Sequence, residues 1–218
     1  MTGRPGRLLP APSPLSLMSI LSILVLAGCG LLFEEDAQHR PAPVVGAEPT
    51  SGEELPIGLG TLRQAEISVH VRRGDLEMSI TPLSESVIRV TAPDTYERLS
   101  ALAGGHQRIF RERTGSALAF QLFLVAVHSE ANPVSFEPQG LTLVNRGLRY
   151  RPVEVRPVTP GWDRNRVEPR ETLLAVYAFP PEIDLEGSLE VEYQEVRVRE
   201  WDNILRRIQA ERARIGVR

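Results

Sequence analysis

Four histidines, a short run of glutamates, two tryptophans and one cysteine are the side chains from which this chain could build chemistry. His39, His70, His106 and His128 stand singly, with no second His or Cys at helical or hairpin spacing, so the ligand sets of zinc or copper centres do not form. His70 and Met78 oppose each other only loosely across an expected hairpin, and surface or satisfied positions are the simpler reading of the histidines. Glu190, Glu192 and Glu195 have the look of a carboxylate cluster for glycoside cleavage, yet Arg197 and Arg199 follow in alternation, which reads as a solvated sheet face. No Gly-x-Ser-x-Gly turn for a nucleophilic serine occurs. Lysine does not occur at all, which removes the phosphate-cradling loop that ends in lysine. Trp162, in a proline-rich loop expected to be exposed, and Trp201, where the last strand meets the last helix, are either corner packing or a stacking surface for sugar or peptide. With Tyr96 and Phe110 they make up the candidate binding surface. No catalytic residue, metal site or cofactor is expected, and the chain reads as a non-enzyme.

The remaining reactive group is the thiol of Cys29, the only cysteine. It closes an apolar run, Leu15 to Leu26, that is too short to span a bilayer and follows the positive residues Arg4 and Arg7. That is the layout of an export signal over residues 1–28. A single sulfur can form no disulfide within the chain, so stability must come from a packed core.

Leu26-Ala27-Gly28-Cys29 resembles the lipobox of bacterial lipoproteins, with an aliphatic residue and two small ones before the cysteine. The resemblance implies cleavage between Gly28 and Cys29, diacylation of the sulfur, and a new N-terminus at Cys29. Each buried methylene adds about 0.8 kcal/mol, so two or three acyl chains hold a protein on a membrane where one alone is marginal. Gly30, rather than aspartate, follows the cysteine, which by the enterobacterial sorting rule resembles an outer-membrane lipoprotein. The domain then faces the periplasm or the cell surface.

All 25 basic residues are arginine, which reads as a genomic composition bias. Loss of Arg4 and Arg7 with the signal takes the formal charge from −3 to −5. A mildly acidic body does not suggest a nucleic-acid partner. Residues 29–60 are rich in Pro, Gly and Glu and too poor in apolar side chains to fold alone. They read as a flexible, lipid-anchored linker with a typical reach of about 30 Å.

From Gln64 the pattern turns to period two. Ile67, Val69 and Val71, then Leu76, Met78 and Ile80, alternate around Gly74 as a half-buried hairpin, and a third strand is expected over Val87 to Thr91. Arg73-Gly74-Asp75 copies an integrin-binding tripeptide, although a glycine turn accounts for it. A helical insertion follows over 94–113, capped by Asp94 or Thr95 and broken or bent at Gly104-Gly105. Ser116 to His128 is apolar at both parities apart from Gln121, so it should be buried on both faces and form the centre of the fold. Strands are then expected at Val134 to Phe136, Leu141 to Val144, Leu148 to Tyr150 and Glu171 to Phe179, with an irregular stretch over Val153 to Arg170. Val196 and Val198 sit out of phase with Leu189, Val191 and Tyr193, which reads as a β-bulge. Asp202 caps a C-terminal helix over 202–218, and its arginines (Arg206, Arg207, Arg212, Arg214, Arg218) suit that end of the helix dipole or an anionic surface.

The order of strands, with Phe136 and Pro138, Leu141 and Leu143, Gly147, Tyr150 to Pro152, Ala175, Tyr177, Phe179 and Pro180, and then Leu189, Val191 and Tyr193, resembles small immunoglobulin-like domains of bacterial lipoproteins. What the resemblance implies is a mainly β chain, an immunoglobulin-like antiparallel β-sandwich over 61–201 with the helical insertion, and an envelope setting. Members share no common activity. Two functions are then open. One is a non-enzymatic module that binds or scaffolds another envelope protein, since loops on a rigid sandwich suit binding. The other is a small-ligand module for glycan or metal, with Trp162, Tyr177 or Trp201 lining its pocket.

Overall fold

The computed structural model describes residues 59–115 and 119–216. The export signal, Cys29 with its cleavage site, and the linker as far as Gly58 lie outside the described residues, as do Ser116 to Leu118 and the last two arginine-tail positions, 217–218.

The described chain is mainly β, built of antiparallel sheets and ending in a helix, an arrangement consistent with a β-sandwich. The period-two stretch after Gln64 forms β1 (Val69–Arg73) and β2 (Leu76–Pro82), with Arg73 paired to Leu76 across a two-residue turn. Gly74 adopts φ +58 there, a conformation that costs a residue with a Cβ but not glycine. β3 (Gln121–Ser129) runs beside β2, and β9 (Thr172–Phe179) lies on its other side. β7 (Glu154–Pro157) completes a five-stranded sheet in the order β1-β2-β3-β9-β7. β3 sits at its centre, as its two apolar parities require. Phe123, Val125 and Val127 face the interior with Tyr177, Ala175 and Leu173, while Leu122 and Leu124 are buried on the opposite face.

Beside that sheet stand α1 (Glu85–Ile88) and α2 (Pro93–Thr114). Val87 and Ile88, expected in a strand, form one helical turn instead, because with Val90 they bury three near-consecutive apolar side chains that a strand would have split between two faces. α2 begins at Pro93, with Ala92 in the capping position and no side-chain cap from Asp94 or Thr95. It continues unbroken through Gly104-Gly105 and stops at Gly115 in the left-handed region. Each mid-helix glycine costs about 1 kcal/mol relative to alanine. Burial of Leu99 before the pair and Phe110 after it offsets that cost.

The second sheet holds β5 (Leu141–Asn145), β6 (Leu148–Tyr150), β10 (Leu189–Tyr193) and β11 (Val196–Val198), in the order β11-β10-β5-β6. Tyr193 pairs with Val196 across a Gln194-Glu195 turn in which Gln194 has φ +53. The expected bulge is therefore a hairpin, and the change of parity in the sequence marks the chain reversing. The stretch expected to be irregular contains β7 and β8 (Arg166–Val167), which pairs with β4 (Val134–Ser135).

α3 (Trp201–Ile215) buries Trp201, Ile204, Leu205 and Ile208. Glu200 occupies the capping position without a side-chain bond, so Asp202 is a first-turn residue and not the cap. Arg207 and Arg212 reach back onto the domain, and Arg214 pairs within the helix. Arg207 donates to the Glu66 carbonyl at 2.9 Å, Arg212 donates to the Ser86 carbonyl at 2.8 Å and pairs with Glu186, and Arg214 donates to Glu211 at 2.6 Å. Gly60, expected as the last linker residue, already belongs to the domain. Its N–H donates to the Arg89 carbonyl, and a Cβ there would lie 1.9 Å from the Val90 oxygen.

Candidate functional site

Three of the four residues expected on a binding surface are buried. The turn at Trp162–Arg164 is flanked by Gly161 at φ +87 and Asn165 at φ +52, and these two left-handed residues fold the proline-rich loop back on itself. The Trp162 indole therefore packs edge-on between Phe136, at 4.9 Å, and Tyr177, at 6.1 Å, instead of facing solvent. Trp201 is fully buried and its Nε1–H donates to the Leu185 carbonyl at 3.1 Å. Phe110 is buried edge-on to Phe120. Tyr96 alone keeps some exposure, and its hydroxyl donates to Glu85 at 2.8 Å. Tyr177 is also sealed in. Its hydroxyl donates to the Pro138 carbonyl, and burial, with Tyr193 nearby, holds its phenol well above the ordinary range.

The carboxylate cluster is not a solvated face. Glu192 is buried, and Arg197 from the adjacent β11 and Arg149 from β6, beyond β5, close on its carboxylate. Glu190 is held by Arg199 at 3.0 Å and Arg197 at 3.5 Å. Five charged side chains, two glutamates and three arginines, thus pair with one another here. Glu195 is in the hairpin turn, apart from both.

His70 and Met78 also part company. His70 pairs with Ser79 on the outer face, whereas Met78 pairs with Val71 and is buried in the interior. What the register does assemble on the outer face is a row across four strands, Arg72, Glu77, His128 and Thr172. Arg72 donates to Glu77 at 2.8 Å. The Nδ1 of His128 lies 2.9 Å from the Glu171 carbonyl and 3.0 Å from the Thr172 hydroxyl, and its Nε2 lies 3.7 Å from a Glu130 carboxylate oxygen. Glu171 itself is held below the usual carboxylate range, first by the Glu168 N–H and then by Arg164. A polar cleft of about 300 Å³ lies beside the row. Among the described residues, however, no three His, Cys, Asp or Glu side chains converge as a metal centre would need.

The feature least accounted for by internal packing is an edge. Among the described residues the exposed large hydrophobic side chains are Leu148, Val153 and Val158, at 61, 54 and 39% exposure. All three fall within eleven residues around β6 and β7, the end strands of the two sheets. β7 leaves one side unpaired. The Val158 N–H donates to the Leu174 carbonyl at 2.8 Å, in line with the β7–β9 register, so alternation turns the backbone groups of Glu154 and Arg156 toward β9 and those of Val155 outward. Pro157, which has no N–H to offer, takes the next outward position, where a proline costs an edge strand nothing. Beside Val155 opens a shallow cleft of about 360 Å³ bounded by Pro138, Gln139, Pro157 and the rim of Trp162. The sequence signal for this edge was present in Val153-Glu154-Val155-Arg156. Pro152 and Pro157 around it made the alternation look like loop.

Compared with protein-family models, curated proteins and solved structures, the chain matches none of them.

Proposed function

We propose that this chain is a non-enzymatic lipoprotein of the bacterial envelope, anchored through Cys29 and most consistent with the outer membrane, whose immunoglobulin-like β domain binds or scaffolds another envelope protein. The observation that carries the reading is the outer edge of β7, an unpaired strand flanked by the exposed apolar side chains of Val153 and Val158. Exposed apolar residues gathered in one place mark contact surfaces, and a free strand edge is a template for an added strand. The lipobox resemblance and a linker too polar to fold support presentation of that edge away from the membrane. Two antiparallel sheets with β9 inserted between β3 and β7 support the immunoglobulin-like reading. Burial of Trp162 and Trp201 supports a protein partner over the small-ligand alternative, which relied on those side chains.

The test is photocrosslinking in intact envelopes, with the crosslinking amino acid at Val153 or Val158 and a control at Thr172 on the outer face. Adducts with a protein from the edge positions and not from the control are expected. Equal adducts from all three, or recovery of a freely soluble chain with an unmodified Cys29 by mass spectrometry, would overturn the reading.

A further inference from the structure

We infer that one occupant of the β7 edge is a second copy of this chain, paired antiparallel about a two-fold axis through Val155. The inference rests on the reading of this edge as a protein-binding surface and names its partner.

Charge complementarity selects the occupant. With Val155 opposite its own counterpart, Glu154 of one copy stands directly opposite Arg156 of the other, and Arg156 opposite Glu154, so a single register makes two opposite-charge pairs on the same sheet face. A slip of either strand brings these charges opposite apolar residues or opposite like charges. Within one copy, Glu154 is paired with Arg113 at 2.7 Å, while Arg156 has no ion-pair partner among the described residues. Its guanidinium is thus the free member that a second copy would satisfy.

The backbone agrees with this register. Val155 directs both its groups outward, so at the axis each Val155 N–H donates to the other copy's Val155 carbonyl. The next outward position is Pro157, which faces Val153 of the second copy. Pro157 lacks a donor, and the Val153 N–H is already spent on the Ala178 carbonyl at 2.7 Å, so no donor is stranded there. The pairing is short, and Pro157 stops it from extending into an open fibre. Exposed Val153 and Val158 lie at its two ends. A contact of this size is weak in solution and gains from confinement of both copies on one membrane.

The test uses the full chain in its membrane, carrying Val155→Cys, with the unsubstituted chain alongside to report any disulfide through Cys29. Residues opposite each other in a bonded antiparallel pair have Cα atoms about 5.5 Å apart, within disulfide reach. Mild oxidation is expected to give a covalent dimer, to lose at least tenfold of it when Arg156→Glu is added, and to regain it with Glu154→Arg and Arg156→Glu together. Sedimentation velocity of the full chain in detergent, without the cysteine, supplies the second measurement. Dimer that ignores the charge changes overturns the inference, and so does a monomer in sedimentation with no disulfide product. If self-pairing fails in this way while Val153 still crosslinks to a different protein, the inference falls and the function proposed above stands. If neither occurs, both fall.

Discussion

Glu211, one turn before the end of α3, accepts hydrogen bonds from both the N–H and the hydroxyl of Thr61, at 2.7 and 2.8 Å across 150 residues of sequence. One carboxylate thereby ties the first residues of the domain to its last helix.

Glu211→Ala removes the one oxygen that accepts both bonds and leaves the Thr61 N–H without its protein partner. A hydrogen bond to a charged group contributes about 1.5–3 kcal/mol, so a loss of about that size is expected in urea unfolding, with an unchanged m-value. A shift below ~0.5 kcal/mol would show that Thr61 is satisfied by water instead.

The same carboxyl makes stability depend on pH. Arg214 and then both Thr61 donors lower its pKa from 4.5 to about 2, against the opposing effect of burial. A group whose pKa is lowered on folding stabilises the fold above its unfolded value and ceases to do so as pH falls through the folded one. The advantage of the native chain over Glu211→Gln is therefore expected in full at neutral pH, diminishing between pH 4.5 and about 2, and absent below. Asp184, lowered by the Glu186 N–H and by Arg146, acts in the same direction. Unfolding free energies of the two chains at pH 7, 4 and 3 give the check; a gap that widens on acidification contradicts this account.

Two glycines should respond in opposite senses to the same substitution. Gly60→Ala forces a methyl into the Val90 carbonyl, an overlap that no side-chain rotation relieves, and a loss of about 1–3 kcal/mol is expected. At Gly104 a Cβ meets nothing within 4 Å and the backbone is helical, so alanine should stabilise by about 0.5–1 kcal/mol. Thermal melts of the two variants should move apart from the native Tm; movement in the same direction would place one of these glycines wrongly.

The arginines around Glu192 should matter more than the glutamate itself. Arg149 and Arg197 are about half exposed and turn to water when Glu192 is replaced, whereas Glu192 is left charged and buried when both arginines go. Glu192→Leu should therefore cost less than the Arg149→Ala and Arg197→Ala pair, which loses about 3–5 kcal/mol. The reverse order in denaturant melts would mean that Glu192 is solvated in the folded protein.

Much of the sheet could be read from the sequence because burial imposes a period. The hairpin around Gly74, the doubly apolar β3, β5, β6 and β9 all follow from alternation and turn residues. The misreadings share a cause, which is that local pattern does not reveal a partner in space. Val87 and Ile88 satisfy strand and helix equally until α2 is beside them. Trp162 looks exposed among prolines until Gly161 and Asn165 turn it onto Phe136. The parity change after Tyr193 fits a bulge or a reversal, and only β11 lying against β10 decides. The β7 edge is least legible, since the prolines around its strand also disguise it.

Because Gly60 and Thr61 are fastened to Arg89 and Glu211, the point where the chain enters the domain is seated on the helix that ends it. A pull transmitted from the amino-terminal side would be borne first by α3 and the α1 segment, and only then by the strands. Trimming the carboxyl terminus would thus weaken the mooring of the opposite end.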